Sequence, residues 1–288
     1  MAALDTAAAI EIPRTTRRRS LGWVFWLALA WIVIVLFGAL AADLLPIADP
    51  SKISLLHRRQ PPSAMYLLGT DHLGRDVLAR VVYASRSSLT VGLVSAFLGL
   101  LVGGTLGLLA GYFRGRFESL TMATVDVLLA FPPLVLALTI IAYLGQSLVI
   151  LTLTLALLSV PAATRVARAT TLAIAEREFV VAARALGATH LRIMLRELLP
   201  NVALPLMVYT LVVVAVLIVG EGALSFLGLG VPPPMPSWGS MMSEGREQLD
   251  FAPHIAFIPA IVMFLTVLSF NLVGDSLRSL TDPRRAAL

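Results

Sequence analysis

Two carboxylates, Asp126 and Glu221, sit in long apolar runs of this chain. Burying such a group without a partner is costly, so each is a functional candidate by default. Asp126 falls in the inner half of its run. Its expected role is a structural ion pair near that membrane face, with a place on a solute path as the alternative. Glu221 falls at the outer end of its run. There it could touch a solute, seal a gate or pair with a basic group of a partner chain. Asp71, Arg75 and Asp76 form a charged cluster that either ties its own loop together or contacts a partner. Trp238, beside Gly239, suits an interfacial anchor first and a docking contact second.

Catalytic patterns are missing. The chain has no H-E-x-x-H, no G-x-S-x-G and no pair of aspartates at matching midplane depth. His57, His72, His190 and His254 lack ligand spacing, so no metal site is expected. Cysteine is absent, which excludes a disulfide framework, a thiolate nucleophile and a thiolate metal site. Lys52 is the single lysine among 22 basic residues. Ser51-Lys52-Ile53 is not a phosphate-gripping G-x-x-x-x-G-K-[ST] loop, so the chain has no such ATP site of its own.

The elements that position these residues are membrane spans. Of 288 residues, 58% are hydrophobic, and the mean hydropathy is +0.88. A soluble domain could not hide that much apolar surface. Residues 1–21 read as a polar leader ending in Arg17–Arg19. Six runs follow: 22–42, 88–111, 120–144, 147–163, 202–220 and 255–274. The first has the length to cross a hydrocarbon core of ~30 Å. It is too long for a typical signal-peptide core, so an uncleaved span is expected. Residues 43–87 form a polar loop whose end, 77–88, is expected to be an amphipathic helix on the membrane surface. Gly99, Gly103, Gly107 and Gly111 share one helical face, which suits close packing of another helix. Pro132-Pro133 should kink the third span. The five-helix core is read as 88–276 and the tail as 277–288. No internal repeat is evident.

One polar stretch, Glu176–Asn201, interrupts the apolar pattern with a helix–turn–helix grammar. Gly187 suits a helix C-terminus and Thr189 an N-cap. Leu191, Met194, Leu195 and Leu198 recur as a helical stripe, with Pro200 expected to stop that helix. An even number of spans puts both termini on one side. With the termini inside, 15 basic residues are cytoplasmic and seven external, which favours that orientation and puts Glu176–Asn201 in the cytoplasm. The net charge of +5 is thus explained by membrane orientation rather than nucleic acid. Two short helices at a membrane surface look like a dock for a soluble partner.

Ala182-Ala183, Gly187 and Leu199-Pro200 match the spacing of the "EAA" cytoplasmic loop of ABC-importer permeases. Leu68-Gly-Thr-Asp-His-Leu-Gly-Arg-Asp76, continuing through Arg80 to Ser87-Ser88-Leu89, resembles the segment before the second span of dipeptide, oligopeptide and nickel permeases of the "C" type. Leu224-Ser-Phe-Leu-Gly-Leu-Gly230, with Pro233 and Pro236-Ser-Trp-Gly239, resembles the segment after their fifth span. The resemblance implies an all-α polytopic membrane protein with six transmembrane helices and the type I importer permease fold. It implies a second homologous permease subunit, two ABC ATPase subunits that carry ATP and magnesium, and an extracellular substrate-binding protein. No cofactor is expected on this chain, which would be a transport subunit and not an enzyme.

Within the coupling loop, 165–201, the resemblance puts ATPase contact on Ala182, Ala183, Arg184, Gly187, Ala188, Leu199 and Pro200. One position departs from the family pattern: Val181 stands where a glutamate is usual, with Glu178 one turn earlier. Dipeptides or oligopeptides are the expected substrates, with nickel or another small solute as the alternative. A self-contained secondary transporter or channel is disfavoured, because most spans lack charge and no repeat shows.

Overall fold

The computed structural model describes residues 22–281. The leader and the end of the tail lie outside the described residues. Ten α-helices and no strands are present among the described residues: α1 (Trp23–Ala41), α2 (Val77–Phe113), α3 (Gly115–Ala130), α4 (Pro133–Leu144), α5 (Leu148–Ala175), α6 (Glu178–Ala185), α7 (His190–Arg192), α8 (Leu199–Phe226), α9 (Trp238–Arg246) and α10 (His254–Thr281). Five helices are long and apolar enough to cross a membrane. The pair α3 and α4 forms a sixth candidate if it is read as one bent span.

The bundle is organised around α2 and α5. Every glycine of the expected stripe faces α5. A Cβ on Gly103 would come within 2.6 Å of the Val160 carbonyl oxygen, and one on Gly107 within 2.6 Å of the Ala167 Cβ. One on Gly111 would approach the Thr171 Cβ to 2.8 Å. Ser95 extends the row, donating its hydroxyl to the Thr152 carbonyl at 2.7 Å. Such close backbone approach gives dispersion contacts that larger side chains would prevent. Helix α8 packs on α2, and α10 packs on α8 and α1. Helix α1 is peripheral, with Trp23, Trp26 and Phe37 exposed. The Trp31 indole N–H, on its inner side, reaches the Thr266 hydroxyl at 3.1 Å.

Three expectations change. First, 77–88 is not a separate surface helix. Asp76 caps α2, its Oδ1 accepting from Leu78 N at 2.8 Å. No glycine or proline then interrupts the chain before Gly92, so α2 runs on for 37 residues. That is ~55 Å, well beyond a ~30 Å hydrocarbon core.

Second, Pro132-Pro133 breaks its span. Phe131, held extended ahead of a proline (φ −83°, ψ 134°), ends α3, and α4 leaves at 83° to it.

Third, Pro200 does not stop a helix. The chain stays helical over all 37 residues from His190 to Phe226. Residues Ile193–Leu198 form a π-helical segment, with the Leu199 N–H bonded to the Met194 carbonyl. The wider turn accommodates the proline ring and its missing donor. It also keeps only part of the apolar stripe, Leu198 and Met194, turned inward. Ile193 and Leu198, five residues apart, are buried, whereas Leu191 and Leu195 are exposed. With Met194 and Leu199, they line an apolar groove against α2.

Candidate functional site

The Glu176–Asn201 stretch folds as two helices around a tight reversal. Helix α6 ends at Gly187, whose φ is +79°. The Ala188 N–H bonds the Ala183 carbonyl at 3.0 Å and the Gly187 N–H bonds the Arg184 carbonyl at 3.0 Å. These two bonds are a Schellman termination, which needs a left-handed residue at this position. Thr189 then caps α7, its hydroxyl oxygen accepting from Arg192 N at 3.4 Å.

Two contacts seat α6 on the bundle. Val180 is fully buried in a cluster with Leu108 of α2, Ala167 of α5, Ile193, Leu198 and Val202. The Arg184 guanidinium lies over the Tyr112 ring at 6.0 Å, and the Tyr112 hydroxyl meets His190 Nδ1 at 2.8 Å. Val180 and Tyr112 escaped the sequence reading. The signal for Val180 was its place one helical turn before Arg184 on a short amphipathic helix.

Opposite Val180 the helix is bare. Ala182, Leu186 and Gly187 are exposed there, with Ala183 and Ala188 half-buried, and Arg184 is exposed on the Val180 side. Leu186 is 88% exposed. Val181 and Glu178 are also exposed. Leu199 and Pro200 belong to the start of α8, and Leu199 lines the groove against α2.

A row of ion pairs joins this end of the bundle. Arg114 donates to Glu176 at 2.7 Å. Arg168 Nε of α5 donates to Glu118 of α3 at 2.6 Å, and Arg165 donates to Asp126 at 2.6 Å. The Arg165 and Asp126 side chains are 53% and 61% exposed.

The other face holds a denser cluster. Asp71 is 1% exposed. Its Oδ1 accepts from Leu73 N and Arg75 N at 2.8 and 2.9 Å, and its Oδ2 accepts from Arg75 Nε at 2.5 Å. Arg75 and Arg80 both reach Glu244 of α9, at 2.6 and 3.0 Å. The loop is therefore tied internally, and Asp71 and Asp76 are occupied there. Asp71, His72 and Glu244 can bring ligand atoms within 4.8 Å of one another, a grouping invisible in sequence spacing. Two guanidiniums already hold those carboxylates, which opposes a divalent cation. Nearby, Asp43 lies outside the spans. Hydrogen bonds from Arg86 and then Tyr83 hold its carboxyl below the usual range.

Glu221 and Trp238 meet in the interior. Glu221 is fully buried and accepts from the Ser88 and Ser225 hydroxyls at 3.0 and 2.6 Å. The Trp238 backbone N–H reaches the Ser88 hydroxyl oxygen at 3.2 Å, and its indole N–H reaches the Val81 carbonyl at 3.3 Å. Trp238 is thus neither an interfacial anchor nor a docking contact, because no part of it is exposed. Glu221 likewise faces neither an open path nor a partner subunit. Serine hydroxyls supply the polar partners expected from a base.

An all-helical bundle whose spans carry a seated surface helix is the architecture of an ABC-importer permease. The fold matches the methionine ABC transporter MetNI in inward-facing conformations, with a TM-score of 0.59 over 72% of this chain and 97% of that chain, at 20% identity. Residues 103–287 match the family described as binding-protein-dependent transport system inner membrane component, and the chain belongs to that family. It is 40% identical over 223 residues to the glutathione transport system permease protein GsiD of Pectobacterium atrosepticum, covering 77% of this chain and 74% of that one. It is also 40% identical over 271 residues to a putative peptide transport system permease protein of Brucella suis, covering 94% and 90%. The chain is a membrane permease subunit of an ABC importer, a transport component and not an enzyme.

Proposed function

We propose that this subunit forms half of the path by which an ABC importer takes up short peptides, and that α6 is its coupling helix. The carrying observation is the bare face of α6 opposite buried Val180. A helix anchored chiefly by Val180 and exposing alanines and Leu186 suits insertion into a cleft on a soluble ATPase. Small side chains allow close approach, and the contact depends on shape where Val181 replaces the usual glutamate.

Peptide rather than nickel is supported by the relatives, whose names specify glutathione or peptide transport. The partners would be a second homologous permease, two ATPase subunits carrying ATP and magnesium, and an extracellular binding protein. Both termini would lie in the cytoplasm of a bacterial inner membrane. External basic residues conflict less with that orientation than their number suggests. Arg75 and Arg80 are paired with Glu244, and Arg86 with Asp43.

ATP-driven closure of the ATPases would draw the coupling helices together. Val180 passes that movement to α2, α5 and α8, and the spans alternate between outward-facing and inward-facing states. The test uses the assembled complex. Arg184→Glu and Gly187→Trp should reduce hydrolysis stimulated by loaded binding protein to the unstimulated rate. A Cβ at Gly187 meets nothing within 4 Å in this subunit, but its φ of +79° strains any side chain placed there, so Arg184→Glu, which keeps the backbone, is the variant that reads the partner contact. Undiminished stimulation in both variants would refute the assignment.

A further inference from the structure

At the external end of the bundle lies a cavity that the coupling mechanism does not use. It encloses about 450 Å³ between the 68–76 loop, the α8–α9 linker and α9. One wall is charged. Arg75 Nη2 donates to Glu244 at 2.6 Å, and Arg80 Nη2 donates to the same carboxylate at 3.0 Å. The Glu244 side chain keeps 30% of its surface exposed, whereas that of Arg80 keeps 3%. Val231, Pro233, Pro234 and Met235 form an apolar wall.

Beneath it, an apolar cleft of about 400 Å³ runs between α4, α5 and α8. Leu224 lines the cleft and Ser225 lines the cavity, at consecutive positions of α8.

We propose that this cavity is a receiving site for short peptides with free termini, with Glu244 taking the ammonium and Arg75 the carboxylate. The proposal rests on the peptide reading above. Its chemistry is an exchange. The internal Arg75–Glu244 pair gives way to two pairs with the ligand, so neither side chain is left uncompensated. Each also keeps a second tether: Asp71 Oδ2 holds Arg75 Nε at 2.5 Å, and Arg80 holds Glu244. Both charges therefore stay in place while the pair opens. A solute with one charge satisfies only one of the two groups. The volume falls within the range of roughly 300–1,000 Å³ usual for small-molecule sites.

The test uses the purified permease–ATPase complex without its binding protein, so that peptide bound elsewhere does not contribute. Equilibrium dialysis with radiolabelled Ala-Ala should show saturable binding. Glu244→Gln should weaken it about tenfold, the loss expected from one charge-assisted hydrogen bond. Met235→Trp fills the cavity from a 44% exposed position without replacing any member of the ion pairs, and should abolish binding. N-acetyl-Ala-Ala amide, which lacks both charges, should compete at least about tenfold less well. Absence of saturable binding to the native complex, or equal binding to the native and Met235→Trp complexes, would overturn the proposal. ATP hydrolysis stimulated by peptide-loaded binding protein is read on the same preparation. Stimulation without cavity binding removes this site and leaves the peptide importer standing. No stimulation by peptide removes the peptide reading and the site with it.

Discussion

Glu221 shows how an ionisable residue in a membrane protein can serve architecture. Its carboxylate accepts from Ser88 of α2 and Ser225 of α8, and Ser88 in turn accepts from the first residue of α9. Three helices meet at one buried side chain. Removing it leaves the Ser88 hydroxyl without its acceptor and Ser225 with only the Ser237 hydroxyl at 3.3 Å, and opens a void, whereas glutamine keeps the shape and one acceptor. Glu221→Ala should therefore destabilise the subunit by about 1–3 kcal/mol, and Glu221→Gln by less. Thermal unfolding of the solubilised complex orders the two variants. A glutamine variant as damaged as the alanine one would show that the charge, not the hydrogen bonding, is needed. Glu221 was legible as a residue requiring a partner. The serines that answer it are 133 and four residues away, and only folding brings the distant one to it.

The glycine row of α2 was readable as a packing face from its four-residue spacing, and the structure supplies the partner helix, α5. The space is already closed to side chains: a Cβ at Gly103 would meet a backbone carbonyl oxygen, which cannot rotate away. Gly103→Leu should force α2 and α5 apart at a cost of at least about 1–3 kcal/mol. A lower unfolding temperature and loss of complex assembly would report it, and an unchanged unfolding temperature would contradict this packing. The π-helical segment 193–198 was not legible. Sequence periodicity assumes 3.6 residues per turn, so it assigned Leu191 and Leu195 to the buried face. Leu198 of that stripe is buried as expected, but the wider turn buries Ile193 in place of Leu191 and Leu195. Likewise, proline pairs signal a disturbed helix, but the 83° turn between α3 and α4 depends on what each half packs against.

Across the whole molecule, the two ends have different characters. One end carries α6 and the row of ion pairs from Arg114 to Asp126. The other carries the Asp71–Arg75–Arg80–Glu244 cluster and its cavity. The proposed orientation predicts a labelling pattern. The chain contains no cysteine, so single cysteines can be introduced without background. Cysteines at Ala182 and Ser279 should react with an impermeant maleimide only in inside-out vesicles, and one at Ser51 only in right-side-out cells. The reverse pattern would invert the topology and remove α6 from any cytoplasmic ATPase.

Composition alone determined that this is a multi-span membrane chain, because 58% hydrophobic residues leave no soluble alternative. Local grammar determined the reversal at Gly187, because a helix end followed by a left-handed residue is written within a few positions. Tertiary structure decided which side chains stay available to partners. Asp71, Glu221 and Trp238 are occupied inside, and Leu186, Arg184 and Glu244 keep open surface. Availability depends on what folding places beside a side chain. For Arg75 and Glu244 that neighbour is 169 residues away, a distance over which no local pattern carries information.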